Sequence, residues 1–384
     1  MKLLRTSIAA VAGLSALNCW ALDPQSINLA GFEFTPSLLV RQSYDDNFRG
    51  LRENVQSSWV TGISPTLRLS AEDRNSAYLL QYSAVHDIFH SYSEATNTDH
   101  FLDFKSIMEF TARHRLDWGL GYHRVEETVE TETATENDKY SRSLANATYT
   151  FGAPSARNQL RFGTHFEARR YHNSGNINAQ QERDSLELSG GWYHRLGART
   201  RTILELRHTD HDYQQAGSFR DSTDLAALTG LEWEATARTS GSARFGYERK
   251  DFDSNNLRDY SNPRWEVGVI WEPRSYSVFS LDTRQSFVEG DQGATTIHDW
   301  TTIAGWRHDW TSRISSNLDY RFSDRDYRGI DRDDELTSYG LGLTYSPDRW
   351  IDLTLGYRRS HNDSTVRLES YKRNIYVLSV NVSL

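Results

Sequence analysis

Ionisable side chains recur at alternate positions of many short segments. They are Arg161, His165, Glu167 and Arg169; Glu187; Glu205 and Arg207; Glu232; Arg244 and Glu248; Glu266; Asp282 and Arg284; Asp319 and Arg321; and Asp352 and Arg358. Acids and bases are interleaved, which suits two kinds of chemistry. One is mutual neutralisation, Glu against Arg on neighbouring strands, which stiffens a wall and does nothing else. The other is a polar surface offering hydrogen bonds of both signs to a hydrated, carbohydrate-like solute. A strongly anionic solute would call for a uniformly basic surface.

Other groupings carry less. His208-Thr209-Asp210-His211-Asp212 holds metal-type ligands, but on a strand successive residues face opposite ways, so no metal site is expected. Asp324, Asp326, Gly329 and Glu335 approach the spacing of a calcium loop, yet Arg328 fills a ligand position and the flanks read as strands. An acidic external loop is expected there. Glu126, Glu127, Glu130, Glu132 and Glu136 make a second acidic stretch, suited to solvation or to bridging lipopolysaccharide phosphates through divalent cations. No local motif marks a nucleophile among the many serines and 13 histidines. The expectation is a non-enzymatic protein with no cofactor.

The elements that position these side chains are strands. In Arg115–Glu126, Leu116, Trp118, Leu120 and Tyr122 alternate with Asp117, Gly119, Gly121 and His123. In Gln159–Tyr171, Leu160, Phe162, Phe166 and Ala168 alternate with Arg161, His165, Glu167 and Arg169. The pattern repeats from Phe32–Tyr44 to the C-terminal run, where Tyr376, Leu378, Val380, Val382 and Leu384 are apolar at every second place. About 18 strands are predicted, with 16 also compatible with the turns. Short connections such as Asp73–Asn75 alternate with longer polar ones such as His172–Arg183, the pattern of periplasmic turns and external loops. Trp118, Trp192, Trp233, Trp265, Trp271, Trp306 and Trp310 lie near strand ends, where interfacial aromatic girdles belong. The wet face is too charged to be surface decoration, so water is assigned to the inside and lipid to the outside. The fold expected is all-β: a transmembrane antiparallel up-and-down β-barrel, wide enough at this strand number for an aqueous channel.

Composition agrees. Mean hydropathy is −0.69 with 12% aromatics and 7 prolines, neither a helical membrane protein nor a disordered chain. Lys2, Arg5 and the apolar run Thr6 to Leu17 read as a cleaved signal peptide over residues 1–21. Cys19 follows Asn18, where a lipid-attachment signal wants a small residue, so lipidation is not expected. Cleavage after Ala21 would remove Cys19, the sole cysteine, and with it any disulfide or thiol chemistry. Losing Lys2 and Arg5 moves the formal net charge from −9 to −11, which argues against nucleic acid. The expected division is signal peptide 1–21, a short periplasmic segment 22–31 and the barrel 32–384. An even strand number puts both termini on the periplasmic side of a Gram-negative outer membrane, with the last strand closing on Ile351–His361 and Phe32–Tyr44.

Pro36-Ser37-Leu38-Leu39-Val40 followed by Tyr44-Asp45-Asp46-Asn47-Phe48-Arg49 resembles the opening of the putative beta-barrel porin 2 family. The resemblance covers essentially the whole mature chain; Leu384 departs from the terminal phenylalanine usual in outer-membrane proteins. It implies an outer-membrane component of an exopolysaccharide or capsule system. The implied function is a polysaccharide export conduit, working with a Wza-like periplasmic export protein and inserted by the barrel-assembly machinery among lipid and lipopolysaccharide. The residues themselves equally permit a general or sugar-uptake diffusion porin, or a non-conducting structural or adhesion barrel plugged by its own salt bridges.

Overall fold

The computed structural model describes residues 26–129, 136–176, 178–236 and 238–383. The signal peptide 1–21 therefore lies outside the described residues. Strand β1 (Ile27–Leu29) folds back on the start of β2 (Phe32–Asp45) through Ala30 and Gly31, both at positive φ. The remaining strands are β3 (Ser58–Glu72), β4 (Ser76–Phe89), β5 (Asn97–Thr111), β6 (His114–Glu127), β7 (Asp138–Phe151), β8 (Asn158–Tyr171) and β9 (Arg183–Arg195). They continue as β10 (Thr200–Tyr213), β11 (Ser222–Thr236), β12 (Thr239–Phe252), β13 (Tyr260–Arg274) and β14 (Ser277–Glu289). The ring ends with β15 (Thr296–Asp309), β16 (Ile314–Arg328), β17 (Arg332–Asp348), β18 (Ile351–Ser364) and β19 (Tyr371–Ser383).

Each strand from β2 to β19 pairs antiparallel with its sequence neighbours, and β19 pairs with β2 from Ile375↔Asp45 to Ser383↔Ser37. The sheet is thus a closed barrel of 18 strands, without the exposed edge that the amphipathic last strand would otherwise leave. The strands run from 13 to 17 residues, longer than the roughly 9–11 needed to cross a bilayer. The surplus lies at one end of the barrel, the end with the long loops. There β5, β15 and β17 begin at Asn97, Thr296 and Arg332, several residues before their first apolar outward residues, Leu102, Trp300 and Tyr339. Beyond the bilayer the outward face no longer has to be apolar, so the ladder continues where the alternation stops.

The same overhang corrects the expected external loop Asp324–Glu335. Asp324 pairs with Glu335 and Asp326 with Asp333, leaving only residues 329–331 to turn the chain, with Gly329 at φ 92°. Those acids stand on the outward face of a regular ladder rather than on a loop that could wrap an ion, and Asp326 is paired there with Arg328 at 2.7 Å.

The register separates two faces around the whole ring. Outward stand Leu120, Phe162, Leu206, Phe245, Leu341, Leu355 and Leu378, all exposed, as lipid contact requires. Aromatics gather toward its borders. Trp271 stacks on Phe279 at 5.1 Å and Phe279 on Trp306 at 6.0 Å near the short-turn end. Tyr44 meets Trp59 at 5.3 Å and Tyr357 meets Tyr376 at 5.1 Å toward the other. The buried apolar residues are few; one cluster, Phe48, Val60, Phe89 and Ala95, sits at the long-loop end.

Candidate functional site: the barrel lumen

Following the pairings from strand to strand puts every predicted lumen position on one face, opposite the apolar belt. Arg169 lies across from Arg142, His165 from Asn146, and Glu187 from His165. Glu205 lies across from Gly191, Arg244 from Glu266, and Glu266 from Arg284. Arg321 lies across from Ser338 and Arg358 from Gly340. The outward neighbours alternate with them without exception across each run.

From β7 to β14 the wall is a dense ionic network. Arg142 holds Glu167 at 2.6 Å, and Arg169, 3.6 Å from Glu167, lies over the Tyr140 ring. Arg161 reaches from β8 to Glu232 on β11 at 2.9 Å while stacking on Tyr193, its cation 3.8 Å from the ring centroid. Arg207 binds Glu205 at 2.5 Å and, from β10, Glu266 on β13 at 2.6 Å. Arg244 lies 3.3 Å from Glu205, and Arg264 joins Glu248 at 3.0 Å to Glu266 at 2.9 Å. Neutralisation was expected between adjacent strands. Several pairs instead join strands two or three apart, because the concave wall brings long side chains together along chords.

The network's centre was missed. Lys250 is fully buried, with Glu289 at 2.6 Å and Asp224 at 3.1 Å. His211 Nε2 lies 3.1 Å from Asp224 and 3.3 Å from Glu289, and Tyr213 donates its hydroxyl to Glu289. His211, Asp224 and Glu289 are near enough to ligate a metal, but the Lys250 ammonium already pairs with both carboxylates. Lys250 shares the parity of Arg244 and Glu248, the signal that would have found it; the charged neighbours Arg249 and Asp251 hide the alternation.

The opposite arc is sparser. Arg358 lies 3.4 Å from Asp319, and Arg41 grips Asp87 at 2.7 Å. Asp352 is buried and accepts a hydrogen bond from Ser346 at 2.5 Å. His165, Glu187, Asp282, Arg284 and Arg321 make no side-chain hydrogen bond or ion pair with another described residue, and Asp282, Arg284 and His165 are exposed to the lumen.

The Tyr44-Asp45-Asp46-Asn47 motif turns out to be a clasp. Tyr44 faces outward against Trp59, while Asp45 faces inward and receives Arg373 of β19 at 2.9 Å. Asp46 accepts the backbone N–H of Asn374 and its side-chain amide, both at 2.6 Å. Asn47 donates to the carbonyls of Leu51 and Lys372 at 2.7 and 2.9 Å. The following residues fold inward. Phe48 packs on Phe89 at 4.9 Å and on Val60, both on the lumen face, and Arg49 donates to the Val129 carbonyl at 3.0 Å. Phe48 and Arg49 therefore cover part of the wall and narrow that mouth.

A family model described as Putative beta-barrel porin 2 matches residues 21–384. No curated protein matches the chain by sequence. Among solved structures, Pseudomonas aeruginosa OpdK with vanillate matches at TM-score 0.50 and 10% identity, over 91% of this chain and 99% of that one. OprD of the same organism matches at 0.47 and 11%, over 94% and 98%. The FrpB iron transporter from Neisseria meningitidis (F3-3 variant) matches at 0.46 and 11%, over 85% of this chain; the chain spans only 62% of that transporter's length. At such identities the likeness is one of fold.

Proposed function

The chain belongs to the putative beta-barrel porin 2 family, and from that premise we propose that this outer-membrane barrel is a passive channel for small hydrophilic solutes, most simply sugars or similarly hydrated molecules taken up by diffusion. One observation carries the reading: a wall of mixed, mostly paired charge beneath a mouth narrowed by the inward fold of Phe48 and Arg49. Paired charges keep a lumen wet without presenting the strong single-sign field that would trap ions. A narrowed mouth favours small solutes over a polymer. OpdK, whose fold the chain shares, was solved with vanillate, and a small molecule held by a barrel of this architecture supports the same reading. With an even strand number, both termini belong on the periplasmic side, under the short turns, and the clasp faces outward.

Export of a secreted polysaccharide is the second reading. The mixed-charge wall would serve an outgoing polymer as well, but only the family resemblance supports that direction. Reconstitution distinguishes the readings. Under the uptake proposal, the purified protein forms conductance steps in planar bilayers and liposomes swell in mono- and disaccharides. A barrel without steps would be non-conducting, which overturns both readings. Loss of surface polysaccharide on deletion, together with no sugar flux in liposomes, would replace uptake by export.

A further inference from the structure

On the outward face of β18 and β19, just beyond the aromatic border, stand three exposed basic or imidazole side chains. His361 lies directly opposite Lys372, and Arg359 is two residues from His361 on the same side of its strand. Opposed residues on an antiparallel pair have Cβ atoms about 5 Å apart, and the next outward position is about 7 Å along the strand. The three groups are thus close enough to share one anion. None makes a side-chain hydrogen bond or ion pair with another described residue. That sets them apart from three other outward-facing arginines of the same outer band, each of which has an acid: Arg170 with Asp184 at 2.7 Å, Arg249 with Asp251 at 2.5 Å, and Arg328 with Asp326 at 2.7 Å.

The surroundings fix the depth and bounds of this patch. Beneath it, Tyr339 and Tyr376 are exposed, and Tyr357 donates its hydroxyl to Asn374 at 2.8 Å, an apolar ring body with its polar tip pointing toward the patch. Aromatic side chains of this kind lie at headgroup level. The nearby acid Asp46 is occupied by Asn374, at 2.6 Å from both its N–H groups. Glu335 and Asp363, opposite one another one outward row farther from the belt, bound the patch on its far side.

We infer that Arg359, His361 and Lys372 form a binding site for the phosphate of a phosphorylated lipid in the outer leaflet. The inference rests on the outer-membrane reading and on the outward placement of the long loops. A doubly phosphorylated lipid A presents its anions at the level of the patch while its acyl chains lie against Leu355 and Leu378, both exposed on the same two strands.

The test is native mass spectrometry of the purified full-length barrel in detergent, titrated with bisphosphoryl, monophosphoryl and dephosphorylated lipid A and, separately, with sodium phosphate. Bisphosphoryl lipid should bind more tightly than the dephosphorylated form, and an R359A/K372A variant should lose roughly fivefold in affinity for each cation removed. R170A, in the same band but already acid-paired, should bind as the unmodified protein does. Equal binding of dephosphorylated lipid, or an undiminished affinity of the double variant, would overturn the site. Phosphate displacing lipid at equal concentration would reassign it to a soluble anion and overturn the lipid proposal. Heat-dependent gel migration of each variant reports the barrel separately; if the double variant fails to fold, Lys372→Gln alone supplies the reading.

Discussion

Asp45 and Arg373 face each other across the line where the first and last strands of the ring meet, the guanidinium Nε 2.9 Å from the carboxylate. Asp45 is buried and Arg373 is part-exposed, so the pair sits at the inner edge of the mouth. The two residues are also the point where the N-terminal motif becomes a piece of three-dimensional structure.

Asp45→Ala should weaken that closure. It leaves a part-buried guanidinium without its carboxylate, a loss of about 1–3 kcal/mol. The folded band on an unheated gel should then disappear at lower urea concentration or temperature than for the unmodified barrel. An unchanged midpoint would mean that the backbone pairing of β19 with β2 suffices alone.

Lys250→Met should cost more. Removing one partner of a buried ionic group leaves Glu289 and Asp224 with uncompensated charge, about 3–5 kcal/mol. Pairing the substitution with Glu289→Gln should recover part of that loss. Urea denaturation of the four proteins in the cycle gives the coupling directly, and additive losses would show that the contact is energetically idle.

Arg284→Glu and Arg321→Glu should shift the channel toward cations. Both side chains face the lumen without an ion-pair partner among the described residues, so their charge is presented to passing ions. The reversal potential in a potassium chloride gradient should move in the cation-selective direction. The shift should shrink at molar salt, where the screening length falls to about 3 Å. By contrast, Arg249→Glu on the outer surface should leave selectivity where it was.

Removing the inward part of the first loop should widen the mouth. Shortening residues 48–56 deletes Phe48, which lies over Val60 and Phe89, and Arg49, which lies over the Phe48 ring at 5.1 Å. Single-channel conductance should rise and sugar selectivity by size should relax. Equal conductance would place the narrowest point elsewhere.

Leu378→Arg should impair insertion by about 2–4 kcal/mol, the cost of a cation near the bilayer midplane on the lipid face of a barrel. Leu378 is exposed near the middle of β19. A like effect on the lumen side is not expected at Glu187, which is partly exposed and makes no ion pair with a described residue. Folding yields into lipid vesicles compare the two.

The fold was legible because lipid imposes a period of two on every outward face, and Leu116, Trp118, Leu120 and Tyr122 obey it. Legibility ended where the lipid ended: Arg332 to Thr337 form strand with no alternation, since their outward neighbours touch water. The lumen positions could be read from parity, but their partners could not. Arg161 and Glu232 are 71 residues apart and meet only because the wall curves. The Asp45-Asp46-Asn47 run was recognisable as a motif; its grip on Lys372, Arg373 and Asn374 depends on the ring being closed.

Every pairing in the ring but one joins strands that follow each other in sequence. Each of those hairpins closes a short loop, so its entropic cost is small and local. The exception spans 328 residues between Asp45 and Arg373. Loop-closure entropy grows only with the logarithm of length, about 0.6 kcal/mol for each doubling. Adding hairpins therefore enlarges the pore at almost no extra cost of joining its ends, and the circumference of such a barrel is free to follow the size of what must pass through it.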